Sequence, residues 1–336
     1  RHIPGFDSIE GVSIVGVANR TYESGKRVAD EFDISRVYDT WIDLLDSADV
    51  DAVCIGTWPY MHKTMVLMAL ERDKHVLTEA RLAMDACQGR EMLEASKKYP
   101  HLITQVVPAP FTLKADTTIT EMIADGYCGD ILSVDITILS SGSAGGGFIN
   151  RDGLFTWRHD RDLSGYNIML MGAWYECLIR LVGPATSVNA ITRVNVKTRR
   201  DVNGNLRTIS IPDHVEILFE LASGAIGHMR CSEVTGLVPE AEVLIFGSEG
   251  TLRLLVEGSD GNNELFGGRR GDSNLIKIPL SSEKMGQWRV EEEFINAIRG
   301  IEHVKYNTFE TGVKYMEFTE SVTRSAQSRT TVHLPL

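Results

Sequence analysis

Residues 49–81 read DVDAVCIGTWPYMHKTMVLMALERDKHVLTEAR, and this stretch decides the fold. Asp51 to Thr57 (DAVCIGT) is a short apolar run bounded by polar residues, which predicts a buried strand. From Met61 to Arg72, residues Met61, Met65, Met68 and Ala69 fall on one stripe, which predicts a helix with methionine as core filler. His75 to Glu79 (HVLTE) predicts the next strand. Strand, helix and strand in this order form a βαβ unit, with parallel strands and a right-handed crossover.

The pattern extends in both directions. Upstream, Gly11 to Ala18 (GVSIVGVA) predicts a strand. Thr21 to Phe32 predicts a helix capped by Thr21, with Val28, Ala29 and Phe32 on one face. Downstream, Met84 to Tyr99 predicts a helix and Leu102 to Val107 a strand. Strands that are apolar on both faces and separated by helices give a parallel sheet covered on both sides. After Pro108-Ala109-Pro110 the texture changes. A helix is expected at Asp116–Asp125, a helical segment at Gly165–Val182, and closing helices at Trp288–Arg299 and Phe309–Ser325. Strands are expected at Ile131–Leu139, Ser187–Val196, His214–Leu221, Ala225–Ser232, Glu242–Phe246 and Thr251–Val256. Their period-two alternation and glycine turns indicate a large, mostly antiparallel sheet with one apolar face. Ser140 to Gly147 (SSGSAGGG) is expected to be a mobile loop. The expected architecture is α/β: a doubly wound parallel sheet over residues 1–110, then an α+β domain with an open antiparallel sheet over residues 111–336.

Composition narrows the function. The 336 residues carry 34 Lys+Arg against 46 Asp+Glu, a net charge of −12. That balance argues against nucleic-acid binding, which rests on clustered positive charge. No apolar run has the ~18 residues of a membrane span, and the residues from Arg1 onward show no charged-then-apolar export signal. Cys54, Cys87, Cys128, Cys177 and Cys231 are scattered and form no CxxC pair, so neither a disulfide framework nor a metal site is expected. The expectation is a soluble, reduced, cytoplasmic protein.

In open α/β sheets, ligands sit beyond the carboxyl ends of the strands. Those ends carry Asn19-Arg20, Thr57-Trp58-Pro59 and Glu79-Ala80-Arg81. An acidic residue after the second strand normally binds the ribose 2′-hydroxyl of NAD. Asn19 and Arg20 stand there instead, and a guanidinium can pair with a 2′-phosphate. The cofactor is therefore NAD or NADP, with NADP favoured, unless Arg20 is simply a solvated surface residue. No GxGxxG turn opens a helix after a strand. Upstream residues carrying a central strand and that turn are therefore expected.

Several segments taken in order resemble the Gfo/Idh/MocA family of glucose–fructose oxidoreductase and inositol dehydrogenase. Asp49-Val50-Asp51-Ala52-Val53 leading to Thr57-Trp58-Pro59-Tyr60-Met61-His62 is similar to the family's DVDAV…TP…H, and Lys74 to Glu79 to its KHVxxEKP. Ile123 to Leu132, Trp157-Arg158, Gly247 to Leu252 and Phe294 to Gly300 extend the match. The resemblance implies a Rossmann-type domain and an open-sheet substrate domain. It also implies hydride exchange between a nicotinamide and a sugar or polyol hydroxyl, and a homodimer or homotetramer. Thr57, Trp58, Pro59, His62 and Glu79 are the implied cofactor-loop residues. His62 is expected to orient that loop rather than bind metal.

The chain also departs from the family. The EKP lysine is Ala80 and its proline Arg81. The aspartate and histidine of the second motif fall on Leu170 and Trp174 within Ser164 to Trp174 (SGYNIMLMGAW). A methyl group cannot relay a proton. On a helix from Gly165, residues 167, 170, 171 and 174 would share a face, with Asn167 its only polar side chain. Replacement acid/base groups are expected at His159 or Tyr175. Arg158, Asn167, Trp174 and Arg81 are expected to bind substrate, and Trp157 to stack on the sugar or the nicotinamide. Plain alternatives stay open: His159 as an exposed loop residue, Tyr175 as core packing and Arg81 as the partner of a nearby carboxylate. Three functions fit: an NAD(P)-dependent oxidoreductase on a sugar, glycoside or cyclitol hydroxyl; a nicotinamide-dependent glycosidase without net redox change; or a non-catalytic sugar and dinucleotide sensor.

Overall fold

The computed structural model describes residues 1–107, 113–139, 152–168, 170–235, 241–257 and 262–336. The predicted loop at Ser140–Gly147 and the Pro108–Pro110 transition lie outside them. Helices α1 (His2–Asp7), α2 (Tyr22–Phe32) and α3 (Trp41–Leu45) come first. Thr21 and Thr40 cap α2 and α3 as capping boxes. Strands β1 (Ala52–Ile55), β2 (His75–Thr78) and β3 (Thr104–Val106) form a parallel sheet in that order, with Val53 beside Val76 and Leu77 beside Gln105. Helices α4 (Pro59–Glu71) and α5 (Ala86–Lys98) are the crossovers.

One predicted strand is corrected. Gly11–Ala18 forms no strand; Val17 makes a single parallel bridge to Val37. A strand exists only where a neighbour pairs its backbone along a ladder. Among the described residues this segment has one point of pairing, however β-prone its side chains are.

The second half contains α6 (Asp116–Ala124), β4 (Ile131–Leu139), α7 (Arg161–Ser164) and α8 (Met171–Val182). It continues with β5 (Ala185–Arg193), a hairpin of β6 (Thr198–Arg200) and β7 (Leu206–Thr208), β8 (His214–Leu221), β9 (Ile226–Ser232) and β10 (Ala241–Gly247). It ends with β11 (Gly250–Glu257), β12 (Asn262–Arg269), β13 (Ile276–Ile278), α9 (Val290–Ile298), α10 (Phe309–Ser328) and β14 (Val332–His333). Nine of these strands form one sheet in the order β13-β12-β11-β10-β4-β9-β8-β5-β14. Its pairs are antiparallel except β4 with β9. Helix α10 packs on β5, α8 and α5, so one helix ties the two halves together.

A second correction concerns Gly165–Val182. Residues 165–168 and Leu170 are not helical, and α8 begins only at Met171. Gly165 has φ +65° and lies so close to Met84 that a Cβ there would sit 2.0 Å from the Met84 carbonyl oxygen. This left-handed close approach breaks the helix. Asn167 therefore shares no helical face with Trp174.

Candidate functional site

The carboxyl ends of β1 and β2 lead into two turns, 56–58 and 79–81. His62, on the first turns of α4, joins them. Its Nε2 lies 2.9 Å from the Thr57 carbonyl oxygen and its Nδ1 3.0 Å from that of Arg81. Burial pushes the imidazole pKa down, against the pull of those carbonyls. A neutral ring has one N–H to donate, so His62 holds one turn by a hydrogen bond and packs against the other. Pro59 occupies the first helical position of α4, and Trp58 precedes it as N-cap without a side-chain capping bond.

Trp58 belongs to a row of planar groups. Arg20 lies over its ring, 5.5 Å from the centroid. Trp157, in the second half, stacks on Trp58 at 6.1 Å and 19°. Arg158 lies over Trp157 at 4.3 Å. Cation–π contacts at such distances contribute ~0.5–1 kcal/mol each at exposed sites. The structure thus brings together Arg20, Trp58, Trp157 and Arg158, four residues the sequence singled out, while Asn19 sits exposed beside Arg20.

Glu79 enters a second cluster that the sequence reading missed. Its Oε1 accepts from His2 Nε2 at 2.9 Å, and its Oε2 accepts from the Ala80 N–H at 3.0 Å. The other ring nitrogen of His2 donates to Glu291 Oε1 at 2.6 Å, and Trp288 Nε1 donates to Glu291 Oε2 at 2.7 Å. Burial alone would lower the His2 pKa. The bonds to Glu291 and Glu79 outweigh it and raise the value from 6.5 to about 9. Burial likewise opposes ionisation of Glu79, but His2 holds the carboxyl below its usual range. The three members come from α1, the end of β2 and α9. No periodicity connects positions 2, 79 and 291, so no sequence signal could have found the triad.

Other predicted site residues are placed elsewhere. Tyr175 is a core residue, 1% exposed, stacked on Phe318 at 3.7 Å. Its hydroxyl accepts from the Ala185 N–H at 2.9 Å, and burial pushes its pKa up. The acid/base role expected for it is therefore corrected: an apolar slot deters the phenolate. His159 lies on the turn Trp157–His159 with its Nδ1 accepting from the Thr156 N–H at 2.9 Å and its ring beside Phe155. Burial and Arg199 lower its pKa. Its ring engages this turn, whereas Arg158 feels Arg81 and Glu79 at the strand end. Trp174 is buried in the core of α8.

Arg81 lies against Gly172 of α8 and is flanked by Tyr315, Glu176 and Glu79 in its electrostatic surroundings. Burial lowers its pKa and these groups oppose the shift. Glu176 also accepts from Arg180 at 3.1 Å, and Arg180 pairs with Asp116 at 2.9 Å. Arg81 thus joins a buried, charge-balanced string beneath the strand ends. Asn167 is buried beside this turn and donates from Nδ2 to the Ala83 carbonyl oxygen at 3.0 Å.

Comparison with known proteins follows the same division of the chain. Residues 1–106 match a model described as an oxidoreductase family with an NAD-binding Rossmann fold, and residues 117–253 match the GFO/IDH/MocA C-terminal domain. The chain belongs to the Gfo/Idh/MocA oxidoreductase family. Within the family it is 28% identical over 286 residues to glucose-fructose oxidoreductase domain-containing protein 2 of Xenopus laevis, covering 82% of this chain and 69% of that protein. Levoglucosan dehydrogenase, solved with NADH and L-sorbose, superposes with a TM-score of 0.83 at 20% identity over 99% of this chain and 93% of that one. The WlbA dehydrogenase of Chromobacterium violaceum, solved with NADH and UDP-GlcNAcA, gives 0.78 at 20% identity over 100% and 92%. These two likenesses bear on the fold, a Rossmann-type parallel sheet followed by a large, mostly antiparallel one. Among the described residues no helix is long and apolar enough to cross a membrane.

Proposed function

We propose that this protein is an NAD(P)-dependent oxidoreductase acting on a hydroxyl of a sugar, glycoside or cyclitol, with acid/base groups unlike the family's usual set. The observation that carries this reading is the row Arg20–Trp58–Trp157–Arg158, built from both halves at the carboxyl ends of the parallel strands. The residues present fit the ribose and loop contacts of a dinucleotide: Arg20 and Asn19 at the ribose, Thr57 to Pro59 at the uncapped start of α4, and Glu79 at the neighbouring turn. A nicotinamide bound there would exchange hydride with a sugar carbon. Levoglucosan dehydrogenase and WlbA, solved with NADH and a sugar or sugar nucleotide, support the same class of ligands.

With Ala80, Leu170 and Trp174 in place of polar groups, the substrate proton needs another acceptor. Glu79 takes that role in this reading: its side chain is 36% exposed at the same turn and hydrogen-bonded to His2. His2 holds it in place, while Trp157 and Arg158 orient the sugar. The test is titration of NADH and NADPH into the protein, then a panel of sugars, cyclitols and glycosides with each oxidised cofactor. Reduced cofactor is expected, and Glu79→Gln is expected to lose turnover even at saturating dinucleotide. Failure to bind either dinucleotide refutes the reading.

One observation favours a second reading. Tyr175 is in the core and the Nδ1 of His159 is engaged by its own turn, which weakens the case for either as a substitute for the missing catalytic residues. A sensor that binds dinucleotide and sugar without turnover has no need of them; binding without turnover or aglycone release would establish it. We also infer a homodimer through the open face of the nine-stranded sheet. Ile191, Leu218 and Ile226 are 51%, 57% and 60% exposed there, beside the pairs His228–Asp135 and Arg230–Glu216. Sedimentation of the wild type against Leu218→Glu tests it.

A further inference from the structure

The row of planar groups has two cationic ends. Arg20 follows the segment at the start of the first half, and Arg158 belongs to the second half. Among the described residues neither has a carboxylate within 4.0 Å. The acid that Arg158 feels, Glu79, is engaged by His2 and the Ala80 N–H. Arg81 carries like charge and lies near enough to Arg158 to depress its pKa together with burial. An anion between them would relieve that repulsion. A chain of net charge −12 has acids to spare for neutralising a guanidinium, yet Arg158 lies over the Trp157 indole, 4.3 Å from its centroid, with no carboxylate paired to it among the described residues. Such a planar fork is the group that binds carboxylates in bidentate fashion.

The two ends serve different anions. In the oxidoreductase reading Arg20 faces the ribose, and Arg158 stands across two indole rings from it. We propose that Arg158 reads the carboxylate of a sugar acid, so that the substrate is an acidic rather than a neutral sugar. The proposal rests on the oxidoreductase reading above and narrows its substrate class.

Calorimetry tests it. Glucuronate, galacturonate and glucose are titrated into the protein saturated with NADH or NADPH, for the wild type, Arg158→Gln and Arg158→Lys. A sugar acid is expected to bind at least about tenfold more tightly than glucose. Arg158→Gln is expected to weaken the sugar acid ~30-fold, as loss of a charge-assisted bond does, and to weaken glucose far less, so that the preference for the acid collapses. Arg158→Lys should recover part of the loss, since the point charge returns without the fork. Equal affinity for acid and neutral sugars overturns the proposal. So does an Arg158→Gln variant that loses dinucleotide affinity while its sugar selectivity is unchanged, because the guanidinium then serves a cofactor phosphate. If the wild type binds no dinucleotide, the oxidoreductase reading fails. The same titrations without dinucleotide then decide the carboxylate site, and wild type and Arg158→Gln binding sugar acids alike refutes it.

Discussion

Removing the charge of His2 should cost stability in a pH-dependent way. The imidazole lies between Glu291 at 2.6 Å and Glu79 at 2.9 Å, and its pKa rises from 6.5 to about 9. That rise is worth ~3.4 kcal/mol of differential interaction. Screening at Glu79, 36% exposed, brings the expected contribution to about 2 kcal/mol. The folded pKa exceeds the unfolded one, so this stabilisation is fully present below pH 6.5 and disappears as pH rises through about 9. Other charged or titratable groups near the triad are Arg1, stacked on Trp288, Cys54, which feels both carboxylates, and His62, Arg81, Arg158 and Tyr315, which feel Glu79. They are common to wild type and variant, so the difference between the two isolates His2. The assay is urea unfolding of wild type and His2→Gln from pH 6 to pH 10, with equal m-values as the control. A gap of about 2 kcal/mol at pH 6 that closes by pH 10 is expected. A gap that stays constant over that range refutes the charge argument and reduces His2 to a packing residue.

Three further outcomes follow from the same geometry. Arg20→Asp should shift cofactor preference from NADP towards NAD, read as the ratio of the two dissociation constants; an unchanged ratio removes Arg20 from the site. Tyr175→Phe leaves the Ala185 N–H without its acceptor and should cost ~1–3 kcal/mol of stability. It should leave the pH profile of any turnover unchanged, because the hydroxyl is a core group. Gly165→Ala places a Cβ against the Met84 backbone at a positive φ and should destabilise by more than about 2 kcal/mol, measured by thermal unfolding. Normal stability in that variant would show that the 164–167 segment can move away from Met84.

Much of the architecture was legible because period and strand length are local properties. The alternation of Val53, Ile55 and Leu77 with the stripe of α4 fixes a βαβ unit wherever it is met. The antiparallel half is read from two-residue alternation in the same way. The sequence also supplied the members of the Arg20–Trp58–Trp157–Arg158 row, the first two as residues following apolar runs and the last two through the family resemblance. It did not supply their mutual contact.

Where local propensity was asked to stand alone, it failed. Gly11–Ala18 has the composition of a strand, but pairing is a property of two segments, and only Val17 finds a neighbour. The helical spacing drawn from Gly165 failed because one glycine is pressed against a backbone 81 positions upstream. Tyr175 carries a reactive hydroxyl in any sequence, yet Phe318 and the Ala185 N–H make it a core group.

The sequence by itself determined the layers, the nucleotide-type half, and the loss of polar groups at Ala80, Leu170 and Trp174. Only the tertiary structure decided which charges meet. His2, Glu79 and Glu291 join across 289 positions, and among the described residues no carboxylate pairs with Arg158. The physical reason is range: periodicity reports neighbours three or four residues away, whereas an ion pair needs two side chains within about 4 Å, wherever the chain has carried them.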